Sequence, residues 1–201
     1  SEISLNSVYA IEIDFTNPDI IYISGNEKLY KSTNSGTSWS IIGNTSFTNL
    51  SHSIKDIKLH PDNNQIIYVA SNQGLFKSID GGLTWDSLPV TTSNTPTVLD
   101  GDFDFTFSIK TDPSNDTLDV VYVATRGDIY RTEDGGTSWE KELGGPNNNY
   151  YQYTDVEVTS SGVVYATISS NCTDKGIWRS ADGKNWTNIT DSLFSPIYSR
   201  V

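Results

Sequence analysis

The sequence predicts an all-β protein built from four repeated units, each of four short antiparallel strands. Three observations carry that expectation. A short box recurs four times, a second landmark keeps register with it, and the runs between turns are β-branched and aromatic. The turns themselves are rich in Gly, Pro, Asn and Asp, and no 3.6-residue apolar period extends over a helix length.

The box begins as Tyr30-Lys31-Ser32-Thr33-Asn34-Ser35-Gly36-Thr37-Ser38-Trp39. It recurs as Phe76-Lys77-Ser78-Ile79-Asp80-Gly81-Gly82-Leu83-Thr84-Trp85 and as Tyr130-Arg131-Thr132-Glu133-Asp134-Gly135-Gly136-Thr137-Ser138-Trp139. The fourth copy, Trp178-Arg179-Ser180-Ala181-Asp182-Gly183-Lys184-Asn185-Trp186, is one residue shorter. Its closing tryptophans lie 46, 54 and 47 residues apart, inside the ~40–50 residues of a propeller blade. The second landmark is an aliphatic pair followed by tyrosine, ending at Tyr22, Tyr68, Tyr122 and Tyr165. From each tyrosine to its box tryptophan is 17 residues in the first three units and 21 in the fourth. The extra length of the fourth falls around Ser169–Lys175.

In the first unit Val8–Phe15 alternates as a strand, and Thr16-Asn17-Pro18-Asp19 turns. Strands over Ile20–Ser24, Lys28–Ser32 and Ser38–Ile42 follow, the first two joined at Gly25-Asn26. The blades so defined span about 7–43, 52–89, 103–143 and 150–190. Residues 191–201 read as the start of a further blade or a closing segment, and the four units as an open arc of a larger ring.

Each box is a hairpin turn with fixed chemistry. Its Asp (Asp80, Asp134, Asp182; Asn34 in the first copy) accepts from backbone N–H groups of its own turn. Its Gly (Gly36, Gly82, Gly136, Gly183) supplies the positive φ of a tight turn. Its Trp (Trp39, Trp85, Trp139, Trp186) buries a large apolar area, and Ser32, Ser78, Thr132 or Ser180 opens the turn. Residues repeated once per blade are spread around a ring, so a shared catalytic or metal-binding role for these carboxylates is not expected.

Composition narrows the function classes. With 13 Lys+Arg against 25 Asp+Glu in 201 residues, the net charge is −12. Nucleic acid and anionic membrane both need a basic footprint, which this chain lacks. The apolar runs are too short to insert in a bilayer as helices. The single cysteine, Cys172, forms no internal disulfide and no zinc spacing. The chain contains no Met, which reads as an excised or processed piece of a longer product. Six Asn-x-Ser/Thr triplets, at Asn44, Asn49, Asn115, Asn171, Asn185 and Asn188, follow from composition alone.

The four boxes resemble the Asp-box, or BNR, repeats of β-propellers. Such repeats occur in sialidases, xyloglucan-cleaving glycoside hydrolases, sortilin-type ectodomains, photosystem II assembly factors and secreted bacterial propellers. The resemblance covers the whole chain and is specific for fold. It implies that the box turns sit away from the ligand face, and that the ligand face is built by links between blades and by turns between second and third strands.

The residues expected at that face are Asp102 and Asp104 in the long link after Trp85, Arg126, and the cluster Tyr150, Tyr151 and Tyr153. Asp100, Asp102 and Asp104 form a weak calcium candidate, and no other cofactor is expected. Asp102 and Asp104 are also the weak candidates for a catalytic acid. A sialidase would need an arginine cluster and an Arg-Ile-Pro motif, neither of which is present. A xyloglucanase-like hydrolase would need two carboxylates ~5–9.5 Å apart, and no second partner stands out. The expected function is a non-enzymatic propeller module, secreted or at a cell surface, that binds or scaffolds protein or polysaccharide. A glycoside hydrolase, or a fragment of one, is the alternative. The remaining blades of a larger chain are a further expected partner.

Overall fold

The structure is a computed structural model and describes residues 8–25, 28–43, 54–72, 74–88, 91–92, 95–98, 108–115, 119–144, 153–169 and 175–190. No helix occurs among them. Four antiparallel sheets of four strands follow one another along the chain, each in sequential order. The first holds β1 (Val8–Ile13), β2 (Ile21–Gly25), β3 (Lys28–Ser32) and β4 (Ser40–Ile42). The second holds β5 (Ile54–Leu59), β6 (Ile67–Ser71), β7 (Gly74–Ser78) and β8 (Asp86–Ser87). A small hairpin of β9 (Thr91–Thr92) and β10 (Thr95–Val98) comes next. The third sheet is β11 (Ser108–Thr111), β12 (Val121–Ala124), β13 (Ile129–Thr132) and β14 (Glu140–Leu143). The fourth is β15 (Tyr153–Val158), β16 (Val164–Ser169), β17 (Gly176–Ser180) and β18 (Trp186–Asn188).

The strands of the first unit match the sequence expectation to within two residues at each end. The β9–β10 hairpin was not expected, and it occupies part of the long link, where threonines flank Ser93-Asn94.

Successive sheets pack face to face, with their first strands side by side along the inner edge. Three apolar cores result. Tyr22 and Leu29 meet Ile57, Leu59 and Trp85 between blades one and two. Tyr68 and Leu75 meet Ile109, Tyr130 and Trp139 between two and three. Tyr122 and Ile129 meet Val156, Val164 and Trp178 between three and four. Among the described residues no fourth core joins blade four to blade one, and these residues form an open arc.

The landmark tyrosines do more than mark register. In every blade the tyrosine lies directly across from the cation that precedes the box: Tyr22 from Lys31, Tyr68 from Lys77, Tyr122 from Arg131 and Tyr165 from Arg179. In the first three the cation stacks on the ring, 5.1, 4.9 and 5.8 Å from its centre. It then reaches the next blade. Lys31 Nζ donates to the Gly81 carbonyl at 3.2 Å, and Lys77 Nζ to the Gly135 carbonyl at 3.0 Å. Arg131 and Tyr122 crowd Gly183, where an added Cβ would lie 1.9 Å from the Tyr122 hydroxyl. Blades one and two are thus clasped by a hydrogen bond to the box of the next blade, and blade three packs closely against the next box at Gly183.

Candidate functional site

Strand direction divides the arc into two ends. The start of β1 pairs with the end of β2, whereas its end, Ile13, pairs with Ile21, itself opposite Ser32. The boxes therefore lie at one end with the turns between first and second strands. Links between blades and turns between second and third strands lie at the other. Backbone bonds tie the box end together: Ser35 N–H donates to Asp19, Gly81 N–H to Gln65 and Gly135 N–H to Asp119.

At the box end the acidic residues are structural in their bonding. The Ser78 hydroxyl accepts from Gly82 N–H at 2.9 Å and donates to Asp80 at 2.8 Å. Asp80 accepts in turn from the backbone of Leu83 and Thr84 and from the Thr84 hydroxyl. Asp134 and Asp182 repeat this arrangement, and Asn34 takes the same place with a neutral acceptor. The Thr84 hydroxyl and backbone bonds hold Asp80 down to about 2, and bonds from Asn185 hold Asp182 lower still. The indole N–H groups of Trp85 and Trp186 donate to the box carbonyls of Gly82 and Gly183.

At the link end the structure places Arg126 in the turn between β12 and β13. Thr125 N–H donates to the Asp128 carbonyl at 2.9 Å and closes the turn. The Thr154 hydroxyl donates to the Thr125 carbonyl, which seats the start of β15 beside it. Arg126 and the backbone of Tyr153 thus share one junction, between blades three and four. Asp128, which the sequence reading passed over, is buried there, with Lys141 Nζ 2.9 Å from its carboxylate. Asp100, Asp102, Asp104, Tyr150, Tyr151 and Cys172 lie outside the described residues.

The inner edge carries a ladder of charges that alternation along β1, β5, β11 and β15 turns inward. Lys58 pairs with Glu12 at 3.0 Å. Lys110 lies 3.6 Å from Asp56 and 3.3 Å from Glu157, bridging three blades. Burial opposes the charge on Lys110, but Asp56 and Glu157 outweigh it and raise the group above its ordinary value.

One carboxylate stands apart. The register between β13 and β14 slips by a residue, so Ile129 pairs with Leu143 and Tyr130 with Lys141. Glu142 is the extra residue of this bulge. Its Oε1 is buried and accepts no hydrogen bond among the described residues. Burial pushes the carboxyl up to about 7, against the pull of Arg131. The folded state therefore holds a proton that the unfolded chain releases near 4.5, and stability falls as pH rises between those values. Glu142→Gln is expected to raise the melting temperature at pH 8 and leave it unchanged at pH 4, as thermal melts across pH would show.

Comparison with solved structures places the architecture. The chain matches an ancestral GH74 enzyme with a TM-score of 0.68 and 22% identity, over 94% of this chain and 26% of that one. The fold is that of a β-propeller. A structure of YCF48 bound to D1 peptide matches at TM-score 0.57 and 17% identity, over 94% of this chain and 56% of that one. The extracellular domain of BT4673 from B. thetaiotaomicron matches at TM-score 0.64 and 16% identity, over 92% of this chain and 22% of that one. This propeller arc therefore spans between about a fifth and three fifths of the length of these three chains. No protein-family model and no curated protein matches the sequence.

Proposed function

We propose that this propeller arc is a non-enzymatic binding module of the Asp-box class, acting outside the cell or at its surface. It holds a protein or polysaccharide at its link end, around Arg126, Tyr150, Tyr151 and Tyr153. The observation that carries this reading is where the repeated polar chemistry is used. The carboxylates of the described boxes and of the inner edge are engaged in turn hydrogen bonds or in contacts between blades. That chemistry builds the scaffold, while the links, which differ from blade to blade, remain for recognition. The likeness to a YCF48 structure bound to a peptide supports a protein partner, and the likeness to an extracellular domain supports the location.

The test combines a glycan array and a pull-down with a hydrolysis screen on xyloglucan, other β-glucans and sialosides. We expect capture without turnover, and capture weakened by Arg126→Ala or Tyr151→Ala with no change in melting temperature. Turnover of any of these glycans would replace the binding reading with glycoside hydrolysis.

A further inference from the structure

The junction between blades three and four is built differently from the two before it. At those, the cation of the third strand donates to a carbonyl of the next box, Lys31 to Gly81 and Lys77 to Gly135. Here Arg131 Nε donates to the Tyr122 hydroxyl at 3.1 Å, and the guanidinium pairs with Glu133 of its own box at 2.6 Å. The same Glu133 oxygen takes Lys184 Nζ at 2.9 Å from the box of blade four, so a chain of charges crosses the junction. We propose that this junction is a proton-controlled latch, closed while Glu142 is neutral and loosened when Glu142 ionises.

Three observations put Glu142 in that role. It is the extra residue of a bulge, whereas in the other three blades the third and fourth strands pair without a slip. The next residue, Leu143, belongs to the core shared with blade four, against which Trp178 and Trp186 pack. Its Oε1 is buried and accepts no hydrogen bond among the described residues. A neutral carboxyl tolerates that site far better than a charged one, since a buried charge is costly unless it is paired and hydrogen-bonded.

The charges that face Glu142 come from both blades. Arg131 on β13 and Lys184 in the box of blade four favour its ionised form, while Glu140 on its own strand and Asp182 in that box oppose it. Tyr122 and Glu133 complete the set, and both already engage Arg131. An ionised Glu142 gains a partner by drawing Arg131 or Lys184 away from Glu133, which cuts the chain of charges. Otherwise it turns out to water and pulls the bulge from the core beside Leu143. Both responses weaken the hold on blade four. Burial keeps the proton on up to about 7, whereas the solvated carboxyl of an opened junction releases it near 4.5. Opening is therefore favoured by up to about tenfold per pH unit between those values, and levels off above them. The same junction seats Arg126 beside the start of β15. On the binding reading above, capture weakens over the same range; the latch itself does not rest on that reading.

Amide hydrogen exchange of the 201-residue chain and of Glu142→Gln, measured side by side from pH 4.5 to pH 8, tests the latch. The chemical exchange rates cancel in the ratio of the two, and Gln keeps the shape of the neutral side chain. We expect protection of β15, β16 and β17 in the native chain to fall roughly tenfold or more relative to the variant between pH 4.5 and pH 7.5. Protection of β6 and β7 is expected to change far less. These two strands also serve as the reference within the native chain, so the reading survives if Glu142→Gln folds poorly. A ratio of blade four to blade two that stays constant with pH would overturn the proposal. An equal fall in both blades would overturn it too, by showing that Glu142 acts on the whole arc and not on one junction. Either result leaves capture around Arg126 and Tyr151 untouched.

Discussion

Asp119→Ala is expected to be among the most damaging substitutions in the chain, lowering the melting temperature by roughly 5–15 °C. The carboxylate is the shared acceptor of the clasp between blades two and three. It takes the Tyr68 hydroxyl, the Lys77 ammonium and, at 3.4 Å, the His60 imidazole. Tyr68 is fully buried, and burial together with the Asp119 charge keeps its phenol protonated far above the usual range. Removing Asp119 leaves a buried hydroxyl and a mostly buried ammonium without their main partner, at a cost of about 2–4 kcal/mol. In a domain of this size each kcal/mol moves the melt by about 2–4 °C. Asp119→Asn keeps an acceptor for Tyr68 and is expected to lose less. A melt unchanged in Asp119→Ala would show that the clasp is incidental to stability.

Gly135→Ala is expected to cost about 2–4 kcal/mol, read as a comparable fall in the thermal melt. Gly135 has φ of +67°, which an L side chain adopts at a cost of about 1–2 kcal/mol. A Cβ there would also stand 2.2 Å from Asp119 Oδ2 and 2.5 Å from Lys77 Nζ. Both atoms are held by the clasp and cannot simply swing aside, which adds the ~1–3 kcal/mol typical of overpacking. The natural comparison is in the same molecule. Ser35 occupies the matching box position of blade one with φ of +54°, and among the described residues no lysine or carboxylate of another blade is bonded to its turn as Lys77 is to that of Gly135. Ser35→Gly is therefore expected to be close to neutral. Equal sensitivity at the two positions would mean that strain in the turn, and not the neighbouring blade, decides.

Much of this was legible in the sequence because it repeats. A spacing of 17 residues held through three units fixes which strand pairs with which. Asp80 and Gly82 announce their turn by chemistry that acts within a few residues. What lay between blades was not legible in the same way. Tyr68, Lys77 and Asp119 come from separate strands and a turn, up to 51 residues apart, and no local pattern states that they meet. Tyr68 marks register in the sequence, whereas the partner of its hydroxyl, Asp119, comes from the next blade. Glu142 was hidden for a different reason. A one-residue slip in pairing turned a residue that alternation would place outward into a buried site. Arg126 was legible as a turn residue, but its junction with β15 depends on a contact from Thr154 to Thr125, again between blades.

The three cores also determine how the molecule comes apart. Among the described residues each core joins a blade to the one before or after it, so within this arc cooperativity is passed along a line. Terminal blades have one stabilising neighbour and central blades have two. Amide protons in β6, β7, β12 and β13 should therefore exchange more slowly than those in β2, β3, β16 and β17. Under load or in mild denaturant the arc frays from its ends inward, and the junction of blades two and three is the last to open.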